Sequence, residues 1–171
     1  LYRDQLDLHS TPASRAVELG LAGHRAGTAY SQTSGRYVRS NEVDMYLPYA
    51  LEEYPEAMAI FQRANEQMED NLAELVKVIG IEEMQDFGLK KRLTSAFRRI
   101  IGNGQANHLV MTANHRAWRH IIEMRTSVHA EEEIRETMSD VARQLKERFP
   151  TIYGDMSRND VGEWVFANSK V

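Results

Sequence analysis

PEAMAIFQRANEQMEDNLAELVKVIG, residues 55–80, decides the fold class. Its apolar residues Ala57, Phe61, Ala64, Met68, Leu72, Leu75 and Ile79 recur at steps of three and four, the spacing of one buried helix face. Pro55 suits a first helical turn, where its missing N–H costs nothing, and Gly80 suits the residue that ends a helix. Working outward, a second helix is expected around residues 86–99, and a third begins near Thr112-Ala113-Asn114. The last long helix runs from about His129 to Arg148, with Ile134, Met138, Val141 and Leu145 inward and Pro150 just past its end.

The first fifty residues read differently. Gly20, Gly23, Gly27 and Gly35 interrupt them, and small hydroxyl residues dominate 28–34, a composition that suits a binding loop. Residues 36–39 and 43–47 are the plausible short strands, and the tail from Met156 onward is expected to be loosely attached. The pattern implies an α+β fold, mainly long helices packed on a small sheet.

A chain of 171 residues with 42% apolar content can fill one core, so residues 1–171 are expected to form a single domain. The formal charge of −4 is spread along the chain, with no polybasic stripe for nucleic acid or a membrane surface. There is no apolar run of the roughly 18 residues that span a bilayer, and residues 1–5 lack signal-peptide anatomy, so a cytoplasmic location is expected. Cysteine is absent, which removes disulfides, zinc–thiolate sites and thiolate nucleophiles.

Two segments carry chemistry. In the first, residues 23–37, an extended path over 32–36 puts Gln32, Ser34 and Arg36 on one side. An amide, a hydroxyl and a guanidinium together suit a nucleotide, because arginine pairs bidentately with phosphate. A polar turn with Arg36 in a surface ion pair explains the same residues equally well. In the second, residues 112–135, helical spacing sets Arg116 and His120 one turn apart, as it does Ile121 and Arg125, giving a basic flank beside an apolar one, with Trp118 in the core. His115–Arg119 and His129–Glu133 share that spacing, but no third converging ligand is visible and no metal site is expected.

These residues resemble the flavin-dependent thymidylate synthases. The run from Arg116 to Arg125 (RAWRHIIEMR), then Ser127, His129, Ala130, Glu133, Ile134 and Arg135, is similar to the family's C-terminal half. The first segment resembles the family signature in His24-Arg25 and in Ser34-Gly35-Arg36-Tyr37, with Gly23 where the signature opens on arginine and one residue more before Ser34. The match is best over 24–155, and the upstream part resembles a shortened family member.

The resemblance implies the thymidylate synthase-complementing-protein-like fold, a homotetramer with sites between subunits, and reductive methylation of dUMP. FAD would be the cofactor, with NADPH and methylenetetrahydrofolate as co-substrates. Arg125 would be catalytic, sitting against the uracil ring. Gln32, Ser34, Gly35, Arg36, Arg98 and Arg125 would hold dUMP, and His24, Arg25, Gln32, Asn114, Arg116 and His120 would hold FAD. A route without a cysteine nucleophile agrees with this composition. The alternative is a homologue that binds nucleotide or flavin without methylating.

Overall fold

The computed structural model describes residues 13–32 and 45–168. In chain order they form β1 (Ala13–Ser14), α1 (Arg15–Leu21), β2 (Thr28–Gln32), α2 (Pro55–Ile79), α3 (Phe87–Phe97), β3 (Ala106–Asn107), β4 (Leu109–Ala113), α4 (His115–Arg125), α5 (Glu132–Arg148), α6 (Pro150–Tyr153), β5 (Met156–Arg158) and β6 (Trp164–Phe166). The class is α+β, mostly helical with small sheets. No helix among the described residues is long and apolar enough to cross a membrane.

The chain divides into two compact units, one built from the residues before 33 and after 107, the other from those between. In the first unit, β2 and β4 form an antiparallel ribbon whose register runs from Thr28 opposite Ala113 to Gln32 opposite Leu109. Thr28 and Tyr30 are half-buried and Ala29 and Ser31 exposed, the alternation of a strand with one covered face. The core is supplied mainly by helices: Trp118, Ile121 and Ile122 from α4, and Ile134, Met138, Val141, Ala142 and Leu145 from α5. Val17 and Leu21 of α1, Met111 of β4 and Tyr153 of α6 complete it with Met156 and Phe166. Each Val, Leu, Ile, Met or Phe side chain among them, once fully buried, contributes about 1.5–3 kcal/mol.

Local signals set the helix ends. Asn114 accepts from the Ala117 N–H at 2.8 Å at the start of α4, and Glu131 from the Ile134 N–H at 3.2 Å at the start of α5. The third helix thus begins at His115, because Thr112 and Ala113 belong to β4. The expected inward residues of α5 are all buried. Pro150 does more than end that helix: it opens the single turn α6, since its fixed φ suits a first helical position.

Two expectations fail here. The tail from Met156 is firmly attached: β5 and β6 pair as an antiparallel hairpin, and Met156 and Phe166 sit in the core. Its polar composition hid two inward apolar residues ten positions apart. The segment 28–32, read as a binding loop from its hydroxyls and glycines, is a strand, because β4 supplies the ladder partner that composition cannot reveal. Of the expected strands, residues 36–39 and 43–44 lie outside the described residues, and Met45 makes an isolated antiparallel bridge with Gln105.

In the second unit α2 spans Pro55–Ile79, ended by Gly80 at φ 67°, a left-handed conformation that glycine adopts without strain. Asp86 caps α3 by accepting from the Leu89 N–H at 2.9 Å. The core of this unit is Leu72, Ile81 and Phe97, with Met68, Leu75, Val76, Leu93 and Ile101 against it. The expected buried face of α2 is therefore covered only in part: Leu72 is buried, Ala57, Phe61, Met68 and Leu75 are half-buried, and Ala64 and Ile79 are exposed. At ~1.5 Å per residue α2 is ~37 Å long and α3 only ~16 Å, so α3 cannot cover the whole stripe.

Candidate functional site

α4 organises the site in the first unit. Its inward face, Trp118, Ile121 and Ile122, fixes the helix against α5, so the remaining positions divide into an open flank and a C-terminal end. On the open flank lies a groove of about 960 Å³ lined by His115, Arg116, Arg119, His120 and Glu123 of α4. Thr151, Ile152, Asp155, Phe166 and Asn168 complete its lining. Arg116, His120 and Glu123 are exposed to it.

The C-terminal end of α4 carries a second constellation. Arg125 donates from Nε to His24 Nε2 at 2.8 Å and from Nη2 to the Gly20 carbonyl at 2.8 Å. To accept, His24 Nε2 must be unprotonated, and the histidine pKa is lowered by burial, by the Arg125 charge and by His120, in that order. The rings of His24 and His120 meet edge to face with centroids 6.1 Å apart, so His24 touches both the arginine and the groove-lining histidine. The loop bearing His24 is tied down by Tyr30, whose hydroxyl donates to the carbonyls of Leu21 at 2.7 Å and His24 at 2.9 Å, and by a bond from the Thr28 hydroxyl to His24 O.

Gly27 joins this loop to α4. Its φ is 74°, its carbonyl accepts from the Asn114 N–H at 3.1 Å, and a Cβ added there would stand 2.3 Å from the Asn114 side-chain nitrogen. Only glycine allows this approach. Asn114 is thereby committed to capping α4 and to packing on the loop, with its side chain still exposed.

Other groups in the groove wall are bound to one another. Arg119 donates to both oxygens of Asp155 at 2.7 Å and to the carbonyls of Ile152 at 2.7 Å and Asn168 at 2.9 Å, and its guanidinium stands 4.1 Å from the Phe166 ring centroid. That pairing holds the Asp155 carboxyl well below the usual range and raises Arg119. His115 Nδ1 lies 2.9 Å from the Tyr153 hydroxyl, whose pKa burial pushes up. No cluster of three or more metal-ligating side chains occurs among the described residues.

Of the site residues expected from sequence, His24, Asn114, Arg116, His120 and Arg125 gather around α4. Arg25 is exposed in the loop beside His24, and Gln32 is exposed at the end of β2. Arg98 belongs to the second unit, in the 3-10 turn Arg98–Ile100 that follows α3. Ser34, Gly35 and Arg36 lie outside the described residues. Sequence reasoning missed the Arg119–Asp155 pair and the role of Gly27. It treated Arg119 as a neighbour of His115 on one helix, whereas its partner stands 36 positions away.

Residues 5–151 match the family model described as thymidylate synthase complementing protein. The chain is 34% identical over 148 residues to the flavin-dependent thymidylate synthase of Mycobacteroides abscessus, covering 85% of this chain and 59% of that protein. It is 32% identical over 154 residues to the protein of the same name from Mycolicibacterium gilvum, covering 88% and 61%, and 32% identical over 145 residues to that of Corynebacterium glutamicum, covering 83% and 58%. The chain thus spans about three fifths of the length of these curated relatives.

Proposed function

Because the chain belongs to the thymidylate synthase complementing protein family, we propose that it is a flavin-dependent thymidylate synthase, converting dUMP to dTMP with methylenetetrahydrofolate and NADPH through bound FAD. The observation that carries the reading is the division of α4: its flank presents Arg116 and His120 to a groove, while Arg125 at its end is held by His24 and Gly20. The chain acts as one domain in a homotetramer, and its location is cytoplasmic.

The groove fits a flavin nucleotide by its donor set and its size. Arg116 offers a fork of donors for a pyrophosphate, and His120 a ring and a hydrogen-bonding edge. The volume of about 960 Å³ lies at the upper end of the roughly 300–1,000 Å³ usual for cofactor sites. His24, Arg25, Gln32 and Asn114 complete the FAD contacts. FAD would supply the electron transfer, and the protein binds and polarises.

Arg125 is the catalytic residue in this reading. Two neutral acceptors fix its guanidinium, and the lowered pKa of His24 keeps a second positive charge away from it. A preorientated cation beside the uracil stabilises negative charge developing on the ring, so the ring carbon is activated without an enzyme nucleophile. Gln32, Ser34, Gly35, Arg36 and Arg98 hold the nucleotide, with Ser34 and Arg36 toward its phosphate; in a homotetramer these groups come from more than one subunit.

The test is spectroscopic. Protein loaded with FAD and reduced by NADPH should be reoxidised by dUMP plus methylenetetrahydrofolate, and Arg125→Ala should abolish this turnover while the circular dichroism spectrum is kept. Colourless protein that takes up no added FAD would overturn the reading. A homologue that binds without methylating is favoured by one observation, Gly23 in place of the signature's arginine; flavin binding with no reoxidation would select it.

A further inference from the structure

The β5–β6 hairpin lies beyond the residues that match the family model, yet it is bonded to α4 at two places. The first is the middle of the helix. Arg119 grips Asp155 through both oxygens and reaches the carbonyls of Ile152 and Asn168, while Asn168 returns a backbone N–H to Asp155 Oδ2 at 3.1 Å. The second is the helix end. The Trp164 N–H donates to Thr126 Oγ1 at 3.0 Å, and Thr126 Oγ1 donates to Ile122 O at 2.8 Å. Two residues on, the Val128 N–H donates to Glu163 Oε1 at 2.8 Å. Asn159 holds the Glu163 carboxylate from the hairpin side, donating to Oε2 at 2.9 Å and accepting from the Glu163 N–H at 2.9 Å.

These two places coincide with the two working regions of the helix. Arg119 lies between Arg116 and His120 on α4, and both Arg119 and Asp155 line the same groove as they do. Thr126 directly follows Arg125, so whatever fixes Thr126 and Val128 fixes the backbone from which that arginine projects. Hydrophobic packing of Met156 and Phe166 would by itself attach the hairpin; it would not set α4 in rotation or along its axis, because apolar contacts are non-directional. Bidentate and charge-assisted bonds do both.

We propose that the β5–β6 hairpin is a brace for α4, in which Asp155, acting through Arg119, positions Arg116 and His120 for the flavin, and Glu163, acting through the 126–128 turn, positions Arg125 for the uracil nucleotide. Both are positioning residues, and the ligand assignments rest on the function proposed above. A helix displaced by a fraction of an ångström at one end misplaces the ligand at that end more than at the other.

The experiment compares Asp155→Asn and Glu163→Ala with the unaltered protein in two ways. Amide hydrogen exchange is followed on α4 and α5 without ligand. FAD affinity is measured by absorbance titration, and dUMP affinity on the FAD-loaded protein. Asp155→Asn should weaken FAD by about tenfold and dUMP by less than about threefold, and Glu163→Ala should reverse that order. Exchange in α4 should rise in both while α5 keeps its protection. Unchanged α4 exchange with unchanged affinities overturns the brace. So does a loss of both affinities in the same ratio in the two variants, which is what general destabilisation gives, and so does failure of both variants to fold, which makes the hairpin a folding element. If only one variant folds, its affinity ratio and exchange pattern decide. Should the unaltered protein bind neither FAD nor dUMP, the proposed function fails, and the exchange comparison still decides the brace.

Discussion

His24 and Glu133 are both shifted from the ordinary behaviour of their types by burial, and the two shifts act on stability in opposite pH directions. His24 accepts from Arg125 and has a pKa below its ordinary value of about 6.5. The unfolded chain therefore takes up a proton that the folded protein resists, so the stability contributed by this site is complete above about pH 6.5 and is lost as pH falls through the folded pKa. Urea unfolding between roughly pH 7 and 5 should show a shallower acid-side loss in His24→Gln than in the unaltered protein. Glu133 is 5% exposed, and burial raises its carboxyl, while bonds from the Ser14 hydroxyl and N–H oppose that rise. Here the sign is reversed: the contribution is complete below the unfolded value and is lost as pH rises through the folded one. Glu133→Gln, neutral at every pH, should remove this loss on the alkaline side. Glu133→Ala should cost about 1–3 kcal/mol by leaving two buried donors unpaired, and thermal denaturation of both variants checks the contrast. Sequence showed the residue types at these sites and not their pairings. Arg125 and His24 stand 101 positions apart, and Ser14 and Glu133 stand 119 apart, distances over which no local pattern links two side chains.

Among the elements, the long helices were legible, while the short helices α1 and α6 and the strands were not. A 25-residue helix repeats its apolar signal over seven turns, and Asn114, Asp86, Pro55 and Gly80 mark ends by their own chemistry. Strands of three to five residues with one covered face carry two or three informative positions each, too few to stand out in a stretch rich in hydroxyls. The turn between α1 and β2 gives a prediction at this level. Gly27→Ala would impose a left-handed φ on an L side chain, costing about 1–3 kcal/mol, and would drive its methyl into the Asn114 amide. Asn114→Ala alone should cost about 1 kcal/mol through the lost cap of α4. In the double variant the clash is absent, so the two losses should sum to more than the loss measured for both together. Calorimetric melting of the four proteins decides this.

In the molecule as a whole, the buried apolar side chains among the described residues gather in two clusters, a large one built on α4 and α5 and a small one on Leu72, Ile81 and Phe97. Composition reports how much apolar material is available, and nothing in it says how that material is partitioned. The β2–β4 ribbon shows where the partition falls. Gln32, where the chain leaves the first unit, is directly paired with Leu109, just after it returns. Replacing residues 33–108 by an Asn-Gly turn should convert the ribbon into an ordinary two-residue hairpin. The product should melt cooperatively with the near-ultraviolet signature of buried Trp118; a featureless near-ultraviolet spectrum would show that the first unit cannot stand alone. The ribbon also acts as a clasp on an insertion. Because its ends are already held together, lengthening the intervening chain adds only ~0.6 kcal/mol of closure entropy per doubling, so the helical excursion can be remodelled at little expense to the unit that carries Arg125.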